Sequence, residues 1–445
     1  DQEYFCDGIA EELINALTQL EDLRVIARTS AFSFKGKNVK ISDIGRELNV
    51  ETILEGSVRR SGDKLRITAQ LVNVADSSHL WSERYDKEMK DIFAIQDEIT
   101  EAIVDNLKVE LLGGDEPVGS AKRHAVDPEV YDLYLRGRYF WNKAAPGDME
   151  NAIGYFEKAV EEDPNYALAY AGLADVYIQL PFIPPFPLPK EVHPKARAAA
   201  LKAVEIDDTL AEAHTSLAIV KSVAWKWEDA EREFKQAIEL NPGYAHAHYF
   251  YALHLMWMRR FDEAIKEIHR ARELDPLSPL VNREVGQVLF YAGQHDRAIE
   301  AFQRAIEIAP NLLLAHSLLG ATYYEKEMYE EALAEFEADR HLLGDVSPFM
   351  AIYTTLTYVR LGNKAEAQKI LNDMLERSKK THFTPYILAN LCFAAGDNDR
   401  GFQFLDKAYE DGDYWLSWVG IGPAYDLVRS DPRYIALLKK MGLDK

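Results

Sequence analysis

The sequence predicts a mainly α-helical protein: a capped array of about eight helix–turn–helix repeats, preceded by a small α+β domain. Three observations carry this. Pro242, Pro276 and Pro310 lie 34 residues apart, with Pro164 on the same beat after one longer unit, and a fixed period of that size marks stacked helix pairs. Small residues recur at two set places ahead of each landmark. Residues 1–112 lack the period and contain instead a stretch that alternates apolar and polar, as a half-buried strand does.

At 445 residues the chain exceeds one ordinary core, and 47% hydrophobic with 28% charged residues is the composition of a folded chain. The formal charge of −22 argues against nucleic acid or an anionic membrane surface and favours basic or neutral partners. Cys6 and Cys392 form neither a disulfide framework nor a metal knuckle, and they suit cytoplasm and periplasm alike. No run reaches the roughly 18–20 apolar residues of a membrane span, and there is no signal peptide. Because the chain opens at Asp1 without Met, the expectation is a piece of something larger, with any membrane anchor in a missing N-terminal segment.

In chain order, Ile9–Leu20 reads as an amphipathic helix and Leu23–Ala27 as a short strand. Thr52–Arg60 and Leu65–Leu71 are strands joined by the hairpin turn Ser61-Gly62-Asp63, and His79–Tyr85 is a third. A helix then carries Ile95, Ile99, Ile103, Leu107 and Leu111 on one stripe, and residues 113–127 form a linker.

The array occupies residues 128–412. Ala152/Ala159, Ala196/Ala203, Ala230/Ala237, Ala264/Ala271 and Ala298/Ala305 are the recurring small residues. Between them sit Phe156, Phe234, Ile268 and Phe302, and Ala332 with Phe336 continues the pattern. Small residues let antiparallel helices approach, the large one fills the gap between pairs, and the proline ends the second helix. Units start near Leu133, Ala167, Ala211, Ala245, Pro279, Leu313, Pro348 and His382, with Gly362 and Gly396 at the turns of the last two. The second unit carries an insert, residues 181–189, whose five prolines force an extended loop that either packs on a neighbour or docks a partner. Residues 413–445 read as the cap, with Asp431 and Pro432 starting a last helix that carries Ile435, Leu438 and Met441.

Tyr170, Leu173 and Tyr177 in one first helix, with Gly286 and Gly320 in the small slot of others, resemble the tetratricopeptide repeat. The amino-terminal runs Tyr4–Leu13, Arg24–Ser30, Leu54–Arg59, Leu80–Tyr85, Asp91–Phe93 and Gln96–Ile99 resemble a small α/β domain related to the FlgO and TolB amino-terminal domains, found before such arrays in bacterial proteins. Cys6 departs from that pattern, where a small residue is expected. The resemblance implies an effector upstream, such as a class III adenylate cyclase, a protein kinase or a winged-helix domain, and none of these is in this chain.

Chemistry is sparse. His246, His248 and His254 do not share a helix face, so no metal set is read from them. Glu11-Glu12, Glu161-Glu162 and Glu330-Glu331 read as solvated acidic pairs. There is no G-x-S-x-G, phosphate loop or H-E-x-x-H, so neither enzyme activity nor a cofactor is expected. Arg59, Arg60, Lys64 and Arg66 gather at the hairpin and could hold an anion, but residues 1–112 hold 14 basic against 22 acidic groups. The resemblance to tetratricopeptide superhelices implies a concave groove lined by first-helix residues. Here these are His246, Tyr249, Leu253, Met256 and Trp257, then Arg283, Gln287, Phe290 and Tyr291, then Tyr324. The Lys and Asn with which some relatives grip a terminal carboxylate are absent from these slots. The expected role is a non-enzymatic interaction and sensory module that takes a protein or peptide in this groove. The rival is a stand-alone envelope-associated scaffold, and a remote third is a small-molecule sensor.

Overall fold

A computed structural model describes residues 3–20, 23–88, 92, 94–95, 98–103, 127–143, 147–180, 189–343, 348–380 and 383–444. The expected linker lies almost wholly outside these residues, as do the proline insert up to residue 188, the Leu107–Leu111 part of the stripe, and His382. The chain packs as two compact units. One comprises Asp1–Pro187, Val192–Leu217 and Lys235–Tyr244, and the other Leu188–Glu191, Ala218–Phe234 and Ala245–Lys445.

The first unit opens with α1 (Glu3–Thr18), α2 (Arg28–Phe32) and α3 (Ile41–Leu48), followed by β1 (Thr52–Ser61), β2 (Lys64–Asn73) and β3 (His79–Glu88). The strands form one antiparallel sheet in the order β1-β2-β3. Leu65, Ile67, Ala69 and Leu71 are buried, so the alternation in the sequence is the inward face of the central strand. Val58, Ile67 and Tyr85 stand opposite one another across the three strands. Gly62 takes φ +61° in the hairpin turn. Of the stripe expected next, Ile95, Ile99 and Ile103 are buried, and so is Ile92 ahead of them.

Two expectations are corrected here. α1 begins at Glu3, well ahead of Ile9, because Phe5 and Ile9 already share its buried face. Leu23–Ala27 joins no strand: Ala27 is extended at φ −63° and ψ 157°, but the segment runs straight into α2. An apolar extended stretch becomes a strand only where a sheet edge accepts its hydrogen bonds.

The array follows as eight helix pairs among the described residues. They are α4 (Pro128–Lys143) with α5 (Asp148–Glu162), α6 (Ala167–Gln179) with α7 (Pro189–Ile206), α8 (Ala211–Val223) with α9 (Trp227–Leu240), and α10 (Ala245–Trp257) with α11 (Phe261–Leu274). Then come α12 (Pro279–Tyr291) with α13 (His295–Ile308), α14 (Ala315–Glu325) with α15 (Tyr329–Leu343), α16 (Pro348–Arg360) with α17 (Lys364–Arg377), and α18 (Pro385–Ala395) with α19 (Asn398–Glu410). The alanines and phenylalanines of the repeat pattern are all buried. A Cβ added at Gly286 would come within 2.6 Å of the Phe302 ring, and one at Gly320 within 2.5 Å of Phe336. Ring and missing side chain therefore specify each other, which is why the pattern phases the array.

Beyond α19, two 3-10 turns (Tyr414–Trp418 and Pro423–Leu427) lead into α20 (Pro432–Lys440). Asp431 accepts the Arg433 amide at 2.9 Å, as an N-cap should. Tyr434, Leu437 and Met441 are buried while Ile435 is exposed and Leu438 half-buried, so Met441 stands as expected and the other two positions move back by one. Tyr434 donates to the Val419 carbonyl at 2.9 Å, which sets that register.

Candidate partner-binding site

The first helices of the second unit carry the residues expected to meet a partner. Leu253, Met256 and Trp257 on α10, Gln287 and Phe290 on α12, and Tyr324 on α14 are buried within the chain. His246, Tyr249, Arg283 and Tyr291 are half-buried. The difference comes from a segment far along the chain. Trp418 packs edge-on against Trp257 with ring centroids 4.9 Å apart, and Tyr414 does so at 6.1 Å. With its amide oriented to satisfy both neighbours, Gln287 accepts the Trp418 indole N–H at 3.3 Å and donates to Glu284 at 2.8 Å. Phe290 and Tyr324 face Tyr353 of α16, at 6.4 and 6.0 Å.

The same segment also seals the last repeat, as expected of a cap. Asp413 accepts the Tyr386 amide at 3.1 Å and the Trp415 amide at 3.1 Å. Burial pushes its carboxyl up to about 6, against those two hydrogen bonds. Asn390 donates to the Tyr425 hydroxyl at 3.0 Å. The tail thus closes the end of the array and also lies along the first-helix face of α10 and α12.

What stays open is the rim formed by the starts of these helices. His246 lies parallel to Tyr249 at 6.1 Å, and Phe250 packs edge-on to both. Arg283 donates to the Leu313 carbonyl at 3.0 Å and pairs with Glu284. One turn before Arg283, Leu280 is 49% exposed, and Leu313 is 51% exposed. Two large apolar side chains are thus left in water near a held guanidinium. Sequence reading missed both leucines. Leu280 sits in the second slot of its first helix, the slot that His246 fills one repeat earlier, and that equivalence was the available signal.

In the first unit the corresponding first-helix face is covered by α1. Glu11 and Glu12 are buried, which corrects their reading as a solvated pair. Arg138 on α4 donates from Nε to Glu11 at 3.1 Å and reaches Asp175 on α6 at 3.6 Å. Arg28 Nε lies 3.2 Å from Glu11, and Ser216 on α8 donates to Asp175 at 2.6 Å. Burial pushes the Asp175 carboxyl up to about 6, with Arg138 opposing. Thr18, at the end of α1, accepts from Asn241 at 3.0 Å.

The histidines serve packing. His248 pairs with Glu267 at 2.6 Å, and His254, whose pKa burial lowers to about 4, bonds Ser222 at 2.8 Å. At the hairpin, Arg66 is held by Asp86 at 2.5 Å. Among the described residues, no helix is long and apolar enough to cross a membrane.

Family models for the tetratricopeptide repeat match residues 145–166 and 226–283, and one for the TPR repeat matches 286–327. A protein from Rhizobium meliloti (strain 1021) described as "Putative adenylate cyclase 3" is 38% identical over 233 residues, which is 52% of this chain and 39% of that protein. The chain therefore spans well under half the length of that relative. Among solved structures, similarity extends to YrrB, a TPR protein with an unusual peptide-binding site, at 24% identity, a TM-score of 0.32 and coverage of 43% of this chain and 93% of that one. PilF of Pseudomonas aeruginosa is 21% identical with a TM-score of 0.37, covering 46% of this chain and 91% of that one. Matching family models and eight phased helix pairs lead to one conclusion: this chain is a tetratricopeptide-repeat array, a protein-binding and typically non-catalytic fold, preceded by a small three-stranded antiparallel sheet.

Proposed function

We propose that this chain is the interaction and sensory part of a bacterial regulatory protein, and that it takes a protein partner along the open rim of α10 to α14. One observation carries the reading: Leu280, one turn before Arg283, and Leu313, whose carbonyl Arg283 bonds, both stand exposed, while Tyr249 and His246 are half-buried at the start of α10. Leu253, Met256, Trp257, Gln287, Phe290 and Tyr324 support that rim from beneath rather than touching the partner. Residues 1–112 act as a FlgO/TolB-like domain that passes occupancy of the array to an effector upstream. The adenylate cyclase relative supports that arrangement, since it extends well beyond the part this chain matches. Catalysis, on this reading, belongs to the effector.

The test is capture from a bacterial lysate by this chain and by Leu280→Asp/Leu313→Asp. Both leucines are exposed, so the variant folds. A partner held by the parent chain and lost from the variant supports the reading, and equal capture by both contradicts it.

A further inference from the structure

Two neighbouring second helices of the second unit, α11 and α13, each carry one arginine that is paired and one that is not. Arg270 pairs with Glu273 at 3.1 Å on α11, and Arg304 pairs with Glu307 at 3.2 Å on α13. These are the contacts expected of residues three apart on a helix. Arg272 on α11 and Arg297 on α13 are exposed, and neither pairs with a carboxylate among the described residues. In a chain with 73 acidic against 51 basic residues, two unpaired arginines at one seam run against the composition.

The two arginines meet through a histidine. Arg297 donates from Nη2 to His269 Nε2 at 3.1 Å and from Nη1 to the side-chain oxygen of Gln294. A guanidinium only donates, so Nε2 accepts and the imidazole is neutral, with its proton on Nδ1. Arg272 lies three residues beyond His269, on the same side of α11. Burial lowers the His269 pKa, and the charges of Arg272 and Arg297 lower it further. Burial lowers the Arg272 pKa as well, with Arg297 adding to the effect. The ring thus stands between two like charges. Arg297 is held by two neutral acceptors, which fix its place and leave its charge uncompensated.

The acids nearby are turned elsewhere. Glu273, the one carboxylate acting on both His269 and Arg272, is the partner of Arg270. Glu300 follows Arg297 by three residues but makes no ion pair with it. It lies four residues after Asp296, on the side of α13 where Asp296 pairs with Lys326 of the next repeat.

We propose that Arg272 and Arg297, facing one another across the α11–α13 seam, bind a phosphoryl group. Two fixed positive charges match a dianion, and the guanidinium fork presents paired N–H groups to phosphate oxygens. A dianion seated there cancels the repulsion that the two arginines exert on each other. The site is separate from the rim and does not depend on it.

The probes are inorganic phosphate and N-acetyl-O-phosphoserine amide, titrated into the chain at fixed ionic strength. Binding is followed by calorimetry and by the ring resonances of His269, which should move along the same isotherm. Saturable binding is expected. Arg272→Gln and Arg297→Gln should each weaken it at least about tenfold. Both residues are exposed, so both variants fold. Arg304→Gln removes an exposed, paired guanidinium from α13 and should leave binding intact. Leu280→Asp/Leu313→Asp should also leave it intact, which keeps this site distinguishable from the rim. Equal or tighter binding of inorganic phosphate assigns the site to the free ion, and tighter binding of the phosphoserine amide assigns it to a phosphorylated peptide. Both outcomes uphold the proposal. No saturable binding of either probe, undiminished binding by Arg272→Gln or Arg297→Gln, or an equal loss with Arg304→Gln would each overturn it.

Discussion

The two units cover the first-helix face of their repeats with the chain's own segments, and they do so with opposite chemistry. In the first unit the cover is α1, seated through buried charge: Glu11 against Arg138 and Arg28, with Arg138 reaching on to Asp175. In the second it is the tail, seated through rings: Trp418 and Tyr414 against Trp257, with one indole hydrogen bond to Gln287. The difference teaches what each seam costs. A buried ion cluster gains little over an apolar one but is severely damaged when one member goes. An aromatic seam gains from area and shape, and fails by leaving a cavity.

The sharpest way to break the comparison is Trp257→Ala, which should destabilise the second unit by about 3–5 kcal/mol, read from its urea midpoint. That loss should be nearly the same at low and high salt. Arg138→Met should cost about 3 kcal/mol in the first unit, because Asp175 is left buried without its cation and Glu11 keeps only Arg28. If Arg138→Met is silent, the charged seam is not what holds α1.

Acidity sharpens it further. The Asp413 carboxyl is raised from 3.8 to about 6 by burial, so protonation favours the folded state. Its stabilising contribution is complete below about 3.8 and is lost as pH rises through about 6. Asp413→Asn should therefore gain on the parent chain by about 2–3 kcal/mol between pH 4 and pH 7, followed as urea midpoints across that range. A constant gap would show that Asp413 titrates alike in the folded and unfolded chain, with no raised carboxyl. The smallest expected effect is Glu327→Gly, which should raise the melting temperature of the second unit by relieving positive φ, worth about 0.5–1 kcal/mol.

The repeat phasing was legible because it records local sterics. A phenylalanine that needs a glycine or alanine opposite it, as Phe302 needs Gly286, leaves a mark in every unit. Helix starts at Ala167, Ala211, Ala245, Pro279 and Pro348 fall where the pattern put them. The covers were not legible in the same way. Trp257 meets Trp418 only because the chain returns after several repeats, and no periodicity states which distant segment lies on which face. Glu11 read as solvated for the same reason, since its partners come from α2 and α4. A trace of the tail's role was present: three aromatic residues within Tyr414–Trp418 are more than a solvent-facing end would carry.

The central claim is that the floor of the second unit's first-helix face is already taken by the tail, while its rim is open. Hydroxyl-radical footprinting of the intact chain tests this side chain by side chain. The account predicts that Met256, Trp257 and Trp418 stay unmodified at doses that label Met258, Leu280 and Leu313. If Met256 and Trp257 label as readily as Met258, the face is open and the account is wrong.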